Sequence, residues 1–262
     1  MKKIKTNPEI EQALIKPRFL SPKNTIVFVH GFNSDWKKHK DFFQKLTWGK
    51  LRCETHLFNF PNHGNSFKND NFKFDDYVNF FIEYFKEKKL DNVILVGHSM
   101  GGGVIGCSYE NIKNNVKAVI LQDPLNKSIY SDLRERIKCT REKYDEINKC
   151  NNEEKRGVWE LMKEAYANFV PNNPYFRKLI ISLISPFNAR RITKGFEKID
   201  KPTLVVYGEN DNIIPANASI DFFNKTIKNV KIAKIKNAAH SPFIQNRKDS
   251  IEVVRKFLSE IN

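Results

Sequence analysis

The pentapeptide Gly97–Gly101, which reads Gly-His-Ser-Met-Gly, constrains the fold of this chain more than any other stretch. The apolar run Val93–Val96 comes directly before it, and the small residues Gly102 and Gly103 come directly after it. This order predicts a buried strand, a turn too tight for bulky residues, and a helix. A serine at the tip of such a turn is held on a strained backbone with its hydroxyl accessible. The pattern therefore predicts an α/β fold with Ser99 as a candidate nucleophile.

Length and composition are those of one large α/β domain, with 262 residues of which 40% are hydrophobic. No run of about 18 apolar residues is present, so we expect no transmembrane helix. The basic N-terminal segment lacks a following apolar stretch, which argues against a secretory signal and favours a cytoplasmic location. The four cysteines lack CxxC spacing, the histidines lack metal-ligand spacing, and no nucleotide-binding glycine motif is present. We therefore expect free thiols, no metal and no cofactor.

The formal net charge of +15 has two interpretations. Clustered cations would attract a nucleic acid, an anionic membrane surface or an acidic substrate. The lysines are instead dispersed over predicted helices and strands, without a basic block or an interleaved aromatic-basic motif. We therefore expect no nucleic-acid partner, and we keep a membrane surface as an alternative that we do not favour. The sequence carries no signal for an oligomeric state.

Strand-like and helix-like segments alternate along the chain, which predicts a mostly parallel, doubly wound sheet with helices on both faces. The alternation stops between about Pro124 and Lys198, where proline-punctuated amphipathic helices replace it. We predict that residues 124–198 form a helical cap, inserted before the last two strands, at the sheet edge where α/β proteins bind ligands. Residues 1–123 and 199–262 would form the core. The predicted strands are Thr25–Val29, Thr55–Phe60, Asn92–Val96, Val116–Leu121, Thr203–Tyr207 and Val230–Ile235, the predicted core helices are Asp75–Leu90, Ser99–Glu110 and Ile251–Leu258, and the cap stripes span 133–147, 158–169 and 176–184.

A serine hydroxyl is a poor nucleophile at neutral pH and needs a base and an orienting acid. Asp211 lies just past the predicted strand Thr203–Tyr207, and His240 lies just past the last predicted strand. The chain therefore offers serine, acid and histidine in that order. Glu209 and Asp123 also follow predicted strands and are competing candidates for the acid.

Acyl transfer also needs an oxyanion hole, built from two backbone N–H groups aimed at one point. We expect one from Met100, directly after the candidate nucleophile. We expect the other from Phe32, in the loop after the first predicted strand, where Gly31 permits an unusual backbone. The His30 side chain in the same loop is expected to bond within the loop rather than act as a second base.

Four motifs together resemble the α/β-hydrolase fold family of serine hydrolases, and in particular its small capped esterases and lipases of the monoacylglycerol-lipase-like kind. They are Val29-His30-Gly31-Phe32, Gly97-His98-Ser99-Met100-Gly101-Gly102, Gly208-Glu209-Asn210-Asp211 and Ala239-His240. The resemblance covers about residues 24–260. It implies that Ser99 is the nucleophile, His240 the base and Asp211 the acid, with the oxyanion bound by the backbone N–H groups of Phe32 and Met100.

The resemblance implies hydrolysis of a carboxylic ester, and the apolar stripes of the cap favour a small-molecule ester with an apolar group. The same triad also serves peptidases, thioesterases, carbon–carbon bond hydrolases and cofactor-free peroxidases. Proline-releasing peptidases of the family usually carry tryptophan after the serine, so Met100 argues against that alternative. A binding protein on a catalytically dead scaffold is the alternative from another class. Residues 60–66 also resemble the family's Asp-x-x-Gly-x-Gly-x-Ser turn, except that Asn59 stands where the aspartate is expected.

Overall fold

The computed structural model describes residues 9–17, 21–48, 51–129, 174–183, 185–211 and 213–261. Within these ranges, seven strands form one sheet in the order β1-β3-β2-β4-β5-β6-β7. Every neighbouring pair is parallel except β1 and β3, which are antiparallel. The strands are β1 (Gln12–Ile15), β2 (Asn24–Val29), β3 (Cys53–Phe58), β4 (Val93–His98), β5 (Val116–Gln122), β6 (Thr203–Gly208) and β7 (Val230–Ile235).

Helices cover both faces of the sheet, and each face has its own cluster of buried apolar side chains. The alternation of side chains along a strand explains this division, because Val93 and Leu95 of β4 enter one cluster while Ile94 and Val96 enter the other. Strands buried on both faces are typical of a parallel sheet. The α-helices are α1 (Lys40–Thr47), α2 (Phe74–Glu87), α3 (Met100–Ile112), α4 (Arg177–Leu183), α5 (Pro186–Phe196), α6 (Ala216–Thr226), α7 (Pro242–Gln245) and α8 (Arg247–Glu260).

This architecture confirms the predicted fold class, a mostly parallel doubly wound sheet with a helical insertion before its last two strands. Each of the six predicted strands is present, with bounds that differ by at most two residues. β1 was not predicted. It is a four-residue edge strand with alternating exposed and half-buried positions, so it lacks the apolar run that marks the central strands.

Of the insertion between β5 and β6, the structure describes residues 123–129, 174–183 and 185–202. The first two predicted cap helices, 133–147 and 158–169, lie outside the described residues. The third corresponds to α4, whose Leu179 and Ile180 are buried in the core. Ile192 and Phe196 of α5 lie against α3, and the cap boundaries at 124 and 198 stay a prediction. No helix in the described part of the chain has the length and apolar character needed to cross a bilayer.

Candidate active site

The turn between β4 and α3 places Ser99 at the carboxyl edge of the sheet. Its backbone has φ 49° and ψ −116°, in a left-handed region that costs a residue with a side chain some energy. The Ser99 N–H donates to the Gln122 carbonyl at 3.0 Å, and the Ser99 carbonyl accepts from the N–H groups of Gly102 and Leu125, each at 2.9 Å. These bonds hold the strained turn in place, and the serine itself is half-buried.

The loops after β6 and β7 bring the predicted acid and histidine together. Nδ1 of His240 donates to Oδ2 of Asp211 at 2.9 Å. The other carboxylate oxygen, Oδ1, accepts from the N–H groups of Ile213 at 2.8 Å and Ile214 at 3.1 Å. Burial raises the pKa of Asp211, but the hydrogen bond and charge of His240, with the Ile213 N–H, outweigh burial and hold it below its ordinary value. Asp211 is therefore a carboxylate at neutral pH.

Backbone contacts hold these two loops against each other. The Asn210 N–H donates to the Ala238 carbonyl at 2.8 Å. A Cβ atom at Gly208 would overlap the Ala239 carbonyl, so only glycine permits this approach. The glycine in the Gly208-Glu209-Asn210-Asp211 motif thus has a direct structural reason.

His98 links the serine turn to the histidine loop. Its Nε2 donates to the His240 carbonyl at 2.7 Å, and the two imidazole centroids lie 5.1 Å apart. Burial lowers the pKa of His98 well below its ordinary value, so the ring is neutral. Sequence analysis missed this role. The available signal was the position of His98 directly before the serine of a strand-to-helix turn.

The two predicted oxyanion donors flank the same turn. Met100 is the first residue of α3, so its N–H has no acceptor within the helix. The loop that carries Phe32 lies against the serine, because a Cβ atom at Gly31 would stand 3.2 Å from the Ser99 Cβ. The oxyanion role of these two N–H groups stays a prediction.

His30 holds the loop of Phe32 in place through two hydrogen bonds, in agreement with its predicted structural role. Its Nδ1 donates to the Gly31 carbonyl at 2.8 Å, and its Nε2 accepts the Phe60 N–H at 2.9 Å. Burial lowers the pKa of His30 to about 4. The imidazole therefore stays neutral and can donate through Nδ1 while it accepts through Nε2.

The structure gives a physical reason for the departure at Asn59. Its side-chain oxygen accepts the Trp36 N–H at 2.9 Å, while its NH₂ group donates to the carboxylates of Glu11 at 2.8 Å and Asp35 at 3.2 Å. An aspartate there would have no proton to donate and would add a third carboxylate. The amide therefore suits a site that already holds two acids.

The competing acids are placed differently from Asp211. Glu209 is exposed. Asp123 is fully buried, and its Oδ1 accepts the Gly208 N–H at 3.0 Å. Burial first, and then the charge of Asp211, raises the pKa of Asp123 well above its ordinary value. The structure therefore pairs the histidine with Asp211 rather than with Glu209 or Asp123, and the role of Asp211 as the catalytic acid stays a prediction.

Asp123, Asp211 and His240 also form the one cluster of metal-ligating groups found among the described residues, with one ligand atom from each within 4.8 Å of the others. Their contacts suit hydrogen bonding better than metal binding. Asp211 already accepts three N–H donors, and Nδ1 of His240 carries the proton that it donates. A metal ion on Nδ1 would displace that proton and break the bond. The absence of a metal requirement stays a prediction.

Comparisons with known proteins agree with this architecture. The sequence profile of the alpha/beta hydrolase family matches residues 26–252. A Mycoplasma genitalium protein named "Putative esterase/lipase 2" is 32% identical over 247 residues, which cover 91% of this chain and 90% of that protein. Homo sapiens monoacylglycerol lipase ABHD6 is 22% identical, with 92% of this chain and 77% of that protein covered. The crystal structure of Paleococcus ferrophilus monoacylglycerol lipase has a TM-score of 0.66 at 18% identity, covers 97% of this chain and 100% of its own, and shares the fold.

Proposed function

Because the chain belongs to the alpha/beta hydrolase family, we propose that it hydrolyses a carboxylic ester through an acyl-enzyme on Ser99. His240 is the general base, and Asp211 orients it. The observation that carries the proposal is the hydrogen bond from His240 to Asp211. The hydrogen bond from His98 to the His240 carbonyl holds this pair next to the strained serine turn. The esterase/lipase and monoacylglycerol lipase names of the relatives favour an ester as the bond that is cleaved.

Acylation begins when Nε2 of His240 takes the Ser99 hydroxyl proton while Oγ attacks the ester carbonyl carbon. The carbonyl oxygen becomes an oxyanion, which the N–H groups of Phe32 and Met100 bind. Collapse of this intermediate breaks the bond to the alcohol oxygen, and the imidazolium returns its proton to that oxygen. The alcohol leaves, and the acyl group remains as an ester of Ser99.

Deacylation repeats these steps with water. His240 takes a proton from the water, whose oxygen attacks the acyl carbon, and the same two N–H groups bind the second oxyanion. Collapse breaks the bond to Oγ, which recovers its proton from the imidazolium, and the carboxylic acid is released. Asp211 stays ionised throughout and stabilises the imidazolium.

The substrate is a small-molecule ester with an apolar group. Phe32 and Phe176 support this choice, because their ring centroids lie 4.9 Å apart and join the proposed oxyanion loop to the insertion through an apolar contact. Phe176 belongs to the insertion between β5 and β6. We propose that residues 124–198 act as a cap that narrows access to Ser99 and selects the acyl or alcohol group.

Substitution of the nucleophile tests the proposal. Ser99→Ala should lower turnover of p-nitrophenyl esters by about a millionfold and abolish labelling by a fluorophosphonate probe, with no change in the unfolding temperature. Ser108→Ala is the matched control, since Ser108 lies in the same helix and its hydroxyl donates to the Ile105 carbonyl. Purified S99A that kept more than a few per cent of wild-type activity would refute the assignment.

A substrate panel separates the ester from the other acyl chemistries. Esters of graded chain length, a thioester, a peptide p-nitroanilide and a carbon–carbon substrate should be assayed with the wild type and S99A. We expect Ser99-dependent turnover to be fastest on an ester. If Ser99-dependent cleavage of another bond is faster, that bond and not the ester is the target of the enzyme. Ser99 would remain the nucleophile.

A further inference from the structure

We propose that Asp123 is a positioning residue of this site: it stays a neutral carboxylic acid and donates a hydrogen bond from Oδ2 to the Asp211 carboxylate. The inference rests on the proposed function in one respect, namely that Asp211 orients the catalytic histidine. It assigns a role to a buried group that the mechanism above does not use.

The first observation is the environment of the two carboxylate oxygens of Asp123. The residue has no exposed surface. Oδ1 accepts the Gly208 N–H at 3.0 Å, whereas Oδ2 is buried and receives no hydrogen bond from any described residue. An ionised carboxylate is unfavourable when one of its buried oxygens accepts no hydrogen bond. A protonated Oδ2 is instead a hydrogen-bond donor and needs an acceptor.

The second observation is the distance to Asp211. Ligand atoms of Asp123, Asp211 and His240 lie within 4.8 Å of one another. Two buried carboxylates at that separation repel each other strongly, so one of them holds a proton at neutral pH. The Asp211 carboxylate is the acceptor for the hydrogen bond that a protonated Asp123 would donate.

The donors around each acid decide which one holds the proton. Asp211 accepts three N–H groups, from His240, Ile213 and Ile214, and these stabilise its charge. Asp123 accepts one. The proton therefore belongs to Asp123.

The groups that face Asp123 support this assignment. From the strand β6 and its loop come Asp211 and the buried Tyr207, and from the histidine loop comes His240. Burial raises the pKa of Tyr207 well above its ordinary value, so that phenol is neutral. The described neighbours include no lysine or arginine that would favour an ionised Asp123.

The proposed bond acts on the catalytic histidine through Asp211. A hydrogen bond from Asp123 holds the Asp211 carboxylate in one orientation and withdraws part of its charge. Less charge on Asp211 stabilises the imidazolium less, and loss of the bond would therefore stabilise it more. Asp123 does not touch the reacting atoms in this account.

Two variants test the bond. Asp123→Asn is the isostere: its NH₂ group donates to Asp211, its oxygen accepts the Gly208 N–H, and asparagine tolerates the observed φ of 41°. Asp123→Gly removes the donor without strain at that φ. Glu209→Gln is the matched control, since it removes an exposed negative charge from the loop of Asp211.

The measurement is the titration midpoint of the His240 imidazole by NMR, with its signal assigned from a His240→Gln sample. We expect Asp123→Asn and Glu209→Gln to leave the midpoint within roughly half a pH unit of the wild type. We expect Asp123→Gly to raise the midpoint and to lower ester turnover about tenfold, in line with the loss of one hydrogen bond to a charged group.

Two results would overturn the proposal. If Asp123→Asn lowers the midpoint by roughly one pH unit or more, Asp123 is ionised in the wild type, because removal of a nearby negative charge has that effect. If Asp123→Gly leaves the midpoint unchanged while only stability falls, the residue is merely structural. The titration requires no turnover, so it decides the proposal even if Ser99 proves not to be the nucleophile.

Discussion

Nδ1 of His240 donates a hydrogen bond to Oδ2 of Asp211 across 2.9 Å, although 29 positions separate the two residues in the chain. The bond joins the loops that follow β6 and β7, the last two strands of the sheet. Because Nδ1 holds the proton, Nε2 is left with the lone pair that a general base needs. This bond distinguishes Asp211 from its two competitors and gives the first prediction.

Loss of the acid should be far more damaging than loss of its neighbours. Asp211→Asn should lower turnover by about ten-thousandfold, because the amide permits the wrong tautomer or orientation of His240. Glu209→Gln should lower turnover much less, because the Glu209 side chain is exposed. Asp123→Asn should also lower turnover much less, because the amide oxygen still accepts the Gly208 N–H and the NH₂ group replaces the proposed donor to Asp211. Steady-state kinetics on one p-nitrophenyl ester gives the ranking, which fails if Asp123→Asn is the most damaging of the three.

The central strands, and the meeting of the candidate side chains at one edge of the sheet, were predictable because their signals are local. Apolar runs mark β2, β4, β5 and β6, and each candidate side chain follows the end of a strand, where parallel topology gathers loops at one edge. The edge strand β1 and the short helix α1 were missed. β1 spans only four residues with alternating exposed and half-buried positions, and it depends on partners far along the chain, as in the pairing of Gln12 with Phe58. Only three of the eight residues of α1 are apolar.

Contacts between loops could not be predicted for a related reason. The bond from His98 to the His240 carbonyl spans 142 positions. The Ala239 carbonyl lies close to Gly208 because two loops far apart in the sequence meet there. Asp123 was predicted as a competitor for the acid from its place after a strand. Its position next to Asp211 depends on the register of β5 against β6, which pairs Gln122 with Val206.

Activity should rise with pH as the general base loses its proton. A histidine base must be neutral, so kcat/KM should increase across roughly pH 6 to 8. Chelators should leave the rate unchanged, because no step of the proposed mechanism uses a metal. The check is a pH–rate profile with and without EDTA on an ester that is itself stable over that range. A flat profile or a chelator-sensitive rate would contradict the mechanism.

Buried histidines should make the fold sensitive to acid. Burial lowers the pKa of His30 to about 4 and of His39 to about 3, whereas an unfolded chain binds these protons near pH 6.5. The unfolded state therefore gains protons first, and the free energy of unfolding should fall as pH drops from about 6.5 towards 4.

His39 offers the sharpest test of that acid sensitivity, because neither ring nitrogen has a hydrogen-bond partner among the described residues. His39→Leu should flatten the loss of stability between pH 7.5 and pH 5, as measured by urea unfolding at each pH. His56→Gln is the control, since His56 is half-buried and should flatten the curve less. An unchanged slope for His39→Leu would show that this histidine does not stay neutral in the folded protein.

Substrate preference should respond to the insertion between β5 and β6. Leu183, the last residue of α4, is half-buried and packs against the core. If residues 124–198 narrow access to Ser99, Leu183→Trp should shift the preferred acyl chain towards shorter esters. Hydrolysis of a small acetate ester should persist. The same shift is expected at Phe169, which lies outside the described residues. Loss of acetate hydrolysis in Leu183→Trp, with the fold intact, would argue against a selective cap.

The net charge of +15 should contribute little to turnover of a soluble ester. We expect rates on a soluble, uncharged ester that are nearly independent of salt, because the net charge does not attract such a substrate. Activity on anionic vesicles would instead fall steeply with salt if the charge captured substrate there, because attraction between exposed charges is screened beyond about 10 Å at 0.1 M. Lys45, Arg247, Lys248 and Arg255, together with Glu252, line a groove of about 680 Å³. This face is the one on which we test for contact with an anionic surface.

Vesicle binding decides between the two interpretations of that charge. Arg255 of the same groove donates to the carbonyls of Lys45, Leu46 and Trp48, which shows a structural use for at least one of these cations. We therefore expect weak binding to anionic vesicles and little effect of Lys45→Glu or Lys248→Glu on it. Tight binding that high salt abolishes, and that either substitution weakens, would instead make this face a membrane-docking surface.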